Sequence, residues 1–288
     1  MANLKEIRGR ITSISSTMQI TSAMKMVSAA KLKKAQDAIV MLRPYSEKLQ
    51  EIIENVSAAS DAENISEFAV EREVKKVLFI TVTSNRGLAG AFNSSVIKEL
   101  NIQFTTNENV EIEVLTIGKK AFDALRKNRT VYENHSSLFD NLSFDHVSNM
   151  TGKVMADFKA GKFDKVYVVY NKFINAATQE VVTEQVLPIA VSAEKTTSEV
   201  NVDYIFEPGR QEILKTLIPK SIKTQIFKAV LDSVASEHGA RMTAMHKATD
   251  NAEALRNELR IFYNKARQAA ITNEILEIVS GAEALKNS

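Results

Sequence analysis

The sequence predicts an α/β fold in which a small, mostly parallel α/β domain is inserted between long N- and C-terminal helices that form an antiparallel coiled coil. Three observations predict it. Both ends of the chain carry apolar residues at alternating steps of three and four, the period of a helix that packs along one seam. The middle alternates β-branched runs with helical segments. The C-terminal helical pattern runs from about Ser221 to Leu285 without a proline and with only Gly239 and Gly281 as weak points. At about 1.5 Å per residue such a helix is roughly 95–100 Å long, whereas a compact globule of this chain length is only about 50 Å across. The helix cannot be contained within its own domain.

The N-terminal element is expected from Asn3 to about Ala58. Leu4, Ile7, Ile11, Ile14 and Met18 form its first stripe. Met24 and Val27 fall off that line, so a change of phase is expected near residue 28. A second seam then runs through Ala35, Ala38, Leu42, Tyr45, Leu49, Ile52 and Val56. Pro44 lies in this segment and should kink or briefly break the helix after Arg43. At the other end, Leu255, Leu259, Phe262, Ala266, Ala269, Asn273 and Leu276 form a comparable stripe with one polar member. Two such helices at opposite ends of one chain pair most economically with each other. The alanines and serines in their seams would let them approach closely.

Between them, Lys75–Ser84, Val110–Gly118 and Lys165–Phe173 read as strands buried on both faces, and "QEVVTEQVLP" could add another. Helices are expected near Ser94–Phe104, Lys119–Asn128 and Asp145–Ala160, which gives a Rossmann-like alternation. Ser192–Val202 is polar and strandless, a linker leading through "VDYIFEPG" to the final helix, with Pro208, Gly209 and Pro219 marking turns or a helix start. The expected divisions are 1–58 for the first coiled-coil helix, 74–191 for the α/β domain, 192–208 for the linker and 209–288 for the C-terminal helical region.

Composition removes several function classes. The 288 residues are 44% hydrophobic and 25% charged, as in ordinary globular proteins. No run approaches the 18 or so apolar residues of a membrane span, and the N-terminus has no signal-peptide pattern, so a cytoplasmic, unprocessed chain is expected. With no cysteine, disulfides, Cys-based zinc sites and thiol nucleophiles are excluded. The loop "TSNRGLAGAFNSS", Thr83–Ser95, joins the first strand to the first helix, where α/β folds hold phosphate. Gly87 and Gly90 match neither a P-loop nor a three-glycine dinucleotide turn, so a tight turn with Asn93 or Ser94 capping the helix is expected instead. His135, His146, His238 and His246 are dispersed, and His238 and His246 are two helical turns apart, too far to share an ion. No catalytic, cofactor or metal site is expected.

Two features point to partners. Residues 1–36 carry Lys5, Arg8, Arg10, Lys25, Lys31, Lys33 and Lys34 against one acid, Glu6, although the whole chain has a net charge of only +2. Such a basic end suits nucleic acid, an anionic membrane or an acidic protein face, or is simply a solvated helix surface. Near the C-terminus, Ile271, Ile275, Ile278 and Ala282 cluster on the side opposite the Leu255–Leu276 seam. One partner helix cannot cover both sides, which implies a hydrophobic socket supplied by other chains, Ile275 and Ile278 among its contacts. An RNA-gripping arm would interleave basic and aromatic residues, but Trp is absent and the arm's aromatics are sparse. A structural scaffold would be expected to dimerise through regular heptads, whereas these drift in phase.

The stretches "MKMVSAAKLKKAQ" (Met24–Gln36), "SNRGLAGAFN", "ASEHGARMTAMHKATDNA" (Ala235–Ala252) and "YNKARQAAITNEILEIVSGAEAL" together carry a family resemblance that runs in order along the whole chain. In them the sequence resembles the gamma subunits of F-type ATP synthases. The resemblance implies a non-catalytic central rotor shaft whose coiled-coil tip lies within a ring of three alpha and three beta subunits. It also implies a foot that contacts the epsilon subunit and the membrane c ring, coupling proton flow to ATP synthesis or hydrolysis. No cofactor and no nucleic acid belong to that picture, and membrane contact comes only through the complex. A peripheral location on the cytoplasmic face of a bacterial inner membrane follows. Met24, Lys25, Arg241, Arg267, Gln268 and Thr272 are then the matching contacts with the catalytic ring, and Tyr204 and Glu207 of "YIFEP" the foot contacts. Lys31, Lys33 and Lys34 would suit an acidic loop of a beta subunit. Against the common family turn "SDRGLCGGFN", Asn85 replaces an acid, Ala89 a cysteine and Ala91 a glycine, which removes any charge at Asn85 and any thiol-based regulation there.

Overall fold

A computed structural model describes residues 4–58, 67–107, 110–189 and 209–286. In chain order these form α1 (Leu4–Ala58), β1 (Lys76–Val82), α2 (Phe92–Thr106), β2 (Glu111–Ile117), α3 (Lys119–Leu125), β3 (Val131–Asn134), a 3₁₀ turn (Ser136–Phe139), α4 (Phe144–Lys159), β4 (Lys165–Phe173), β5 (Gln179–Leu187) and α5 (Arg210–Lys286). Long terminal helices thus flank an α/β domain, as the periodicity requires. The residues group into two compact units, one of 1–28 with 242–288 and one of 29–241.

The larger unit is built on a five-stranded sheet of order β3-β2-β1-β4-β5. β1 pairs in parallel with β2 and β4, and β2 with β3, while β5 runs antiparallel to β4. The run "VLFITV" of β1 is apolar apart from Thr81 because its alternate residues serve opposite layers. Val77 and Phe79 pack with Val96 and Leu100 of α2 and with Ala121 and Leu125 of α3. Leu78, Ile80 and Val82 pack on the other side with Val147, Val154 and Phe158 of α4 and with Leu214, Ile218, Ile222 and Ile226 of α5. The connection from β2 to α3 passes through Gly118 at φ +113, where an added Cβ would lie 2.0 Å from the Thr83 carbonyl oxygen, so only glycine fits.

Several expectations need correction. α1 is continuous through Pro44, and α5 begins at Arg210 rather than near Ser221, with Pro219 inside it. Each proline costs a helix about 3 kcal/mol. In α5 that cost is offset by four residues, Leu214, Ile218, Ile222 and Ile226, that bury essentially completely on the sheet, at about 1.5–3 kcal/mol each. In α1, Ile39 and Leu49 are buried on either side of Pro44. The expected change of phase in α1 is also absent. Its less exposed positions run Leu4, Ile7, Ile11, Ile14, Met18, Thr21, Lys25, Ser28, Leu32, Ala35, Ile39, Leu42, Ser46, Leu49 and Ile53, at unbroken heptad spacing. Polar residues hold the seam where an apolar-only reading sees a shift. Tyr45 and Ile52, assigned to the second seam, are exposed.

Asn93 and Ser94 do not cap α2 through their side chains. The cap position is Ala91, without a side-chain hydrogen bond. Asn93 Oδ1 instead accepts from the Ser84 amide at 2.9 Å and Ser94 Oγ donates to the Ala91 carbonyl, so both side chains serve the turn itself. The expected linker 192–208 lies outside the described residues.

Candidate functional site

The smaller unit pairs the start of α1 with the C-terminal part of α5. Arg8 Nη2 donates to the Tyr263 hydroxyl at 2.7 Å and its guanidinium stands over the Tyr263 ring, Thr21 and Thr249 share a hydrogen bond of 2.8 Å, and Lys25 Nζ lies 3.4 Å from His246 Nδ1. The two residue numbers in each pair sum to 270 or 271, which defines an antiparallel pair in constant register.

On α5 the half-buried positions are Thr249, Ala252, Arg256, Leu259, Tyr263 and Ala266. This corrects the expected seam, because Leu255 and Phe262 face outward and Arg256 and Tyr263 take the inward places. Arg and Tyr have long apolar bodies that cover a helix partner while the polar end reaches the edge. Counting hydrophobic letters alone misses them.

By the same register Leu4, the first described residue, lies opposite about residue 267. Beyond it α5 continues to Lys286 with no described helix beside it, an overhang of about 28 Å. Every described side chain from Arg267 to Glu283 is exposed. They include Ile271, Ile275, Leu276, Ile278 and Val279, with Ile278 at 67%. Both stripes read from the sequence here, including Ala269, Asn273 and Leu276, are therefore uncovered in the isolated chain. A continuous apolar surface of this kind is rare on a finished monomer surface and marks a place for another protein.

Arg267, Gln268 and Thr272 sit on this overhang, and Thr272 Oγ1 returns its hydrogen bond to the Gln268 carbonyl at 2.9 Å. Met24 and Lys25 are half-buried in the helix pair of the same unit. In the larger unit, Lys31, Lys33 and Lys34 are exposed along α1, with Lys33 paired to Asp37 at 3.0 Å. These exposed cations present positive charge to solvent, and the lone surface ion pair holds little energy. Tyr204 and Glu207 lie outside the described residues.

Arg241 differs from the others. It is only 7% exposed, and its Nη1 donates to Glu237 Oε1 at 2.6 Å while its Nη2 donates to the carbonyls of Arg86 and Gly87 at 3.2 and 3.4 Å. Burial raises the Glu237 carboxyl above its ordinary pKa despite the guanidinium beside it. Burial, then Arg241 and Lys31, lower His238 to about 4, so it is neutral at physiological pH. In the isolated chain this arginine is committed to its own neighbours. No group of acids and histidines that could hold a metal occurs among the described residues. No helix is long and apolar enough to cross a membrane, again among the described residues.

With this geometry in view, the comparisons with known proteins decide the family. A family model described as ATP synthase matches residues 3–285. The chain is 59% identical over 285 residues to the ATP synthase gamma chain of Flavobacterium johnsoniae, covering 99% of both chains. The chain belongs to the ATP synthase gamma chain family. It is likewise 61% identical to the gamma chain of Flavobacterium psychrophilum, covering 99% of this chain and 100% of that one, and 44% identical over 288 residues to that of a Geobacter species. The family's fold recurs in a rotor structure of the Euglena gracilis mitochondrial ATP synthase, with a TM-score of 0.65 and 22% identity over 93% of this chain and 98% of that one. A second solved structure, the central stalk and c ring of the Tetrahymena thermophila enzyme, gives a TM-score of 0.60 at 24% identity over 80% of this chain and 99% of that one.

Proposed function

We propose that the chain is the central-stalk rotor subunit of an F-type ATP synthase. It transmits torque between a membrane c ring and a catalytic ring of three alpha and three beta subunits, and it is not itself catalytic. The observation that carries this reading is the uncovered end of α5, an apolar helix surface with no described helix beside it in its own unit, in a chain that matches the ATP synthase family model over residues 3–285.

One asymmetric shaft facing three equivalent catalytic subunits favours a different conformation in each. Turning it exchanges those states, provided that each angle gives differential contact energy with open and closed subunits. Ile275 and Ile278, with Arg267, Gln268 and Thr272, supply contacts at the end of the shaft, and Met24 and Lys25 supply contacts lower on the helix pair. Lys31, Lys33 and Lys34 face an acidic loop of a beta subunit. Tyr204 and Glu207 belong to the foot, which meets the epsilon subunit and the c ring. Residues 1–58, 74–191, 192–208 and 209–288 are its working divisions, and its place is peripheral, on the cytoplasmic face of a bacterial inner membrane. Arg241, held in place by its pairing with Glu237, supplies a further contact with the catalytic ring.

Reconstitution tests the reading. The chain mixed with alpha and beta subunits should form a complex that hydrolyses ATP, while the chain alone should show no turnover. Replacing Ile275 and Ile278 together by aspartate should weaken that assembly and leave the α/β domain folded. Turnover by the chain alone, or assembly indifferent to the two aspartates, would refute it.

A further inference from the structure

In a doubly wound sheet, ligands bind in the crevice at the carboxyl ends of the two strands where the winding reverses. Here that point lies between β1 and β4, because the chain passes from β1 to β2 and β3 on one side and then crosses to β4 on the other. The loop after β1 is the glycine-bearing turn Thr83–Ala91, and the loop after β4 contains Ile174–Thr178. Both are occupied by the chain's own helix. Gly239 of α5 packs so closely on Ala176 that an added Cβ would lie 3.1 Å from its carbonyl oxygen and 3.3 Å from its Cα. Ser236, fully buried, donates to the Asn171 carbonyl at 2.9 Å, and Asn171 donates in turn to the Phe92 carbonyl at 3.1 Å. Arg241 closes the other side on the Arg86 and Gly87 carbonyls.

We infer that residues 236–241 of α5 act as a built-in ligand of this crevice, and that Ser236 and Gly239 are positioning residues that key the helix against rotation relative to the α/β domain. The physical reason is directionality. The apolar contacts of α5 with the sheet decide which face of the helix is buried, but being non-directional they leave small turns about its axis weakly opposed. Hydrogen bonds hold one orientation because they weaken steeply as their geometry departs from alignment. Backbone-to-backbone contact at Gly239 adds a steric key, since the helix cannot turn without driving side chains into Ala176. A crevice that would otherwise admit a small ligand becomes the joint by which torque passes between α5 and its domain.

This inference rests on the rotor reading, and the test separates the two. The full complex is assembled in inverted membrane vesicles with the wild-type chain, Gly239→Ala, Gly239→Val or Ser236→Ala. ATP hydrolysis and ATP-driven proton uptake are measured on each preparation. Gly239→Val should retain hydrolysis and lose proton uptake, with Gly239→Ala and Ser236→Ala showing smaller losses in the same ratio. Hydrogen exchange should accelerate at the loops 83–91 and 174–178 and stay unchanged in β1 and β2. If Gly239→Val fails to assemble, Ser236→Ala, which adds no bulk, decides the matter by the same ratio. Unchanged proton uptake per ATP in a variant with loosened loops overturns the joint. A wild-type chain that supports no proton uptake at all overturns the rotor reading instead.

Discussion

Asp232 of α5 is 5% exposed, and no hydrogen bond offsets its burial among the described residues. It faces Lys228 on its own helix, Arg43 of α1, Lys172 of β4 and Glu184 of β5, whose Oε1 accepts the Tyr170 hydroxyl at 2.8 Å. Burial dominates over the three cations, so its pKa rises from 3.8 to about 6. The folded chain therefore binds this proton more tightly than the unfolded chain, and stability falls as pH rises from below the unfolded value through the folded one. The shift amounts to about 3 kcal/mol of destabilisation once both states are ionised. Asp232→Asn keeps the shape and removes the charge. It should stabilise the isolated chain by about 2–3 kcal/mol at pH 8, and by only about 1 kcal/mol at pH 4.5, where the native carboxyl is already protonated. Urea unfolding followed by circular dichroism at the two pH values measures the difference. A gain independent of pH would show that the cations fully offset burial, and a loss at pH 8 that they outweigh it; either result refutes a raised pKa at Asp232.

Other substitutions test separate parts of the fold. Gly118→Ala places a Cβ against the Thr83 carbonyl at a positive φ and should destabilise the chain by about 3 kcal/mol or more, visible as a lower urea midpoint or loss of soluble protein. Pro44→Ala, at an exposed position inside α1, restores a helix hydrogen bond and should raise stability by about 1–2 kcal/mol after the more flexible unfolded chain is allowed for. Arg241→Ala leaves Glu237 buried without its partner and should cost about 3–5 kcal/mol in the isolated chain. An arginine that acted only on a partner subunit would leave the isolated chain's unfolding curve unmoved.

The sequence made the architecture legible where one physical signal dominated. β1, β2 and β4 are dominated by consecutive β-branched and other apolar residues because both faces of the sheet are covered, and their strand character shows without any contact information. β3 was missed, since "VYEN" is four residues long with no apolar pattern. The antiparallel direction of β5 depends on a tight connection from β4 that periodicity does not encode. The seams of the helix pair were blurred because Thr21, Lys25 and Ser28 on α1, and Arg256 and Tyr263 on α5, do packing work that hydropathy assigns to solvent. The early start of α5 was hidden by Pro219, whose cost is overridden by burial on the sheet. The exposed end of α5 was readable because its two stripes are local. The crevice plugged by Ser236 and Gly239 was not, since it joins residues more than 60 positions apart.

The end of α5 has a consequence for how the particle is put together. The last turns of α5 extend the helix before them without a new nucleus, but most helical stability comes from tertiary contacts. The described side chains between residues 268 and 285 make no such contacts among the described residues. A partner that covered this surface would supply those contacts, so that on the rotor reading docking of the shaft's end and the final stiffening of its helix are one event.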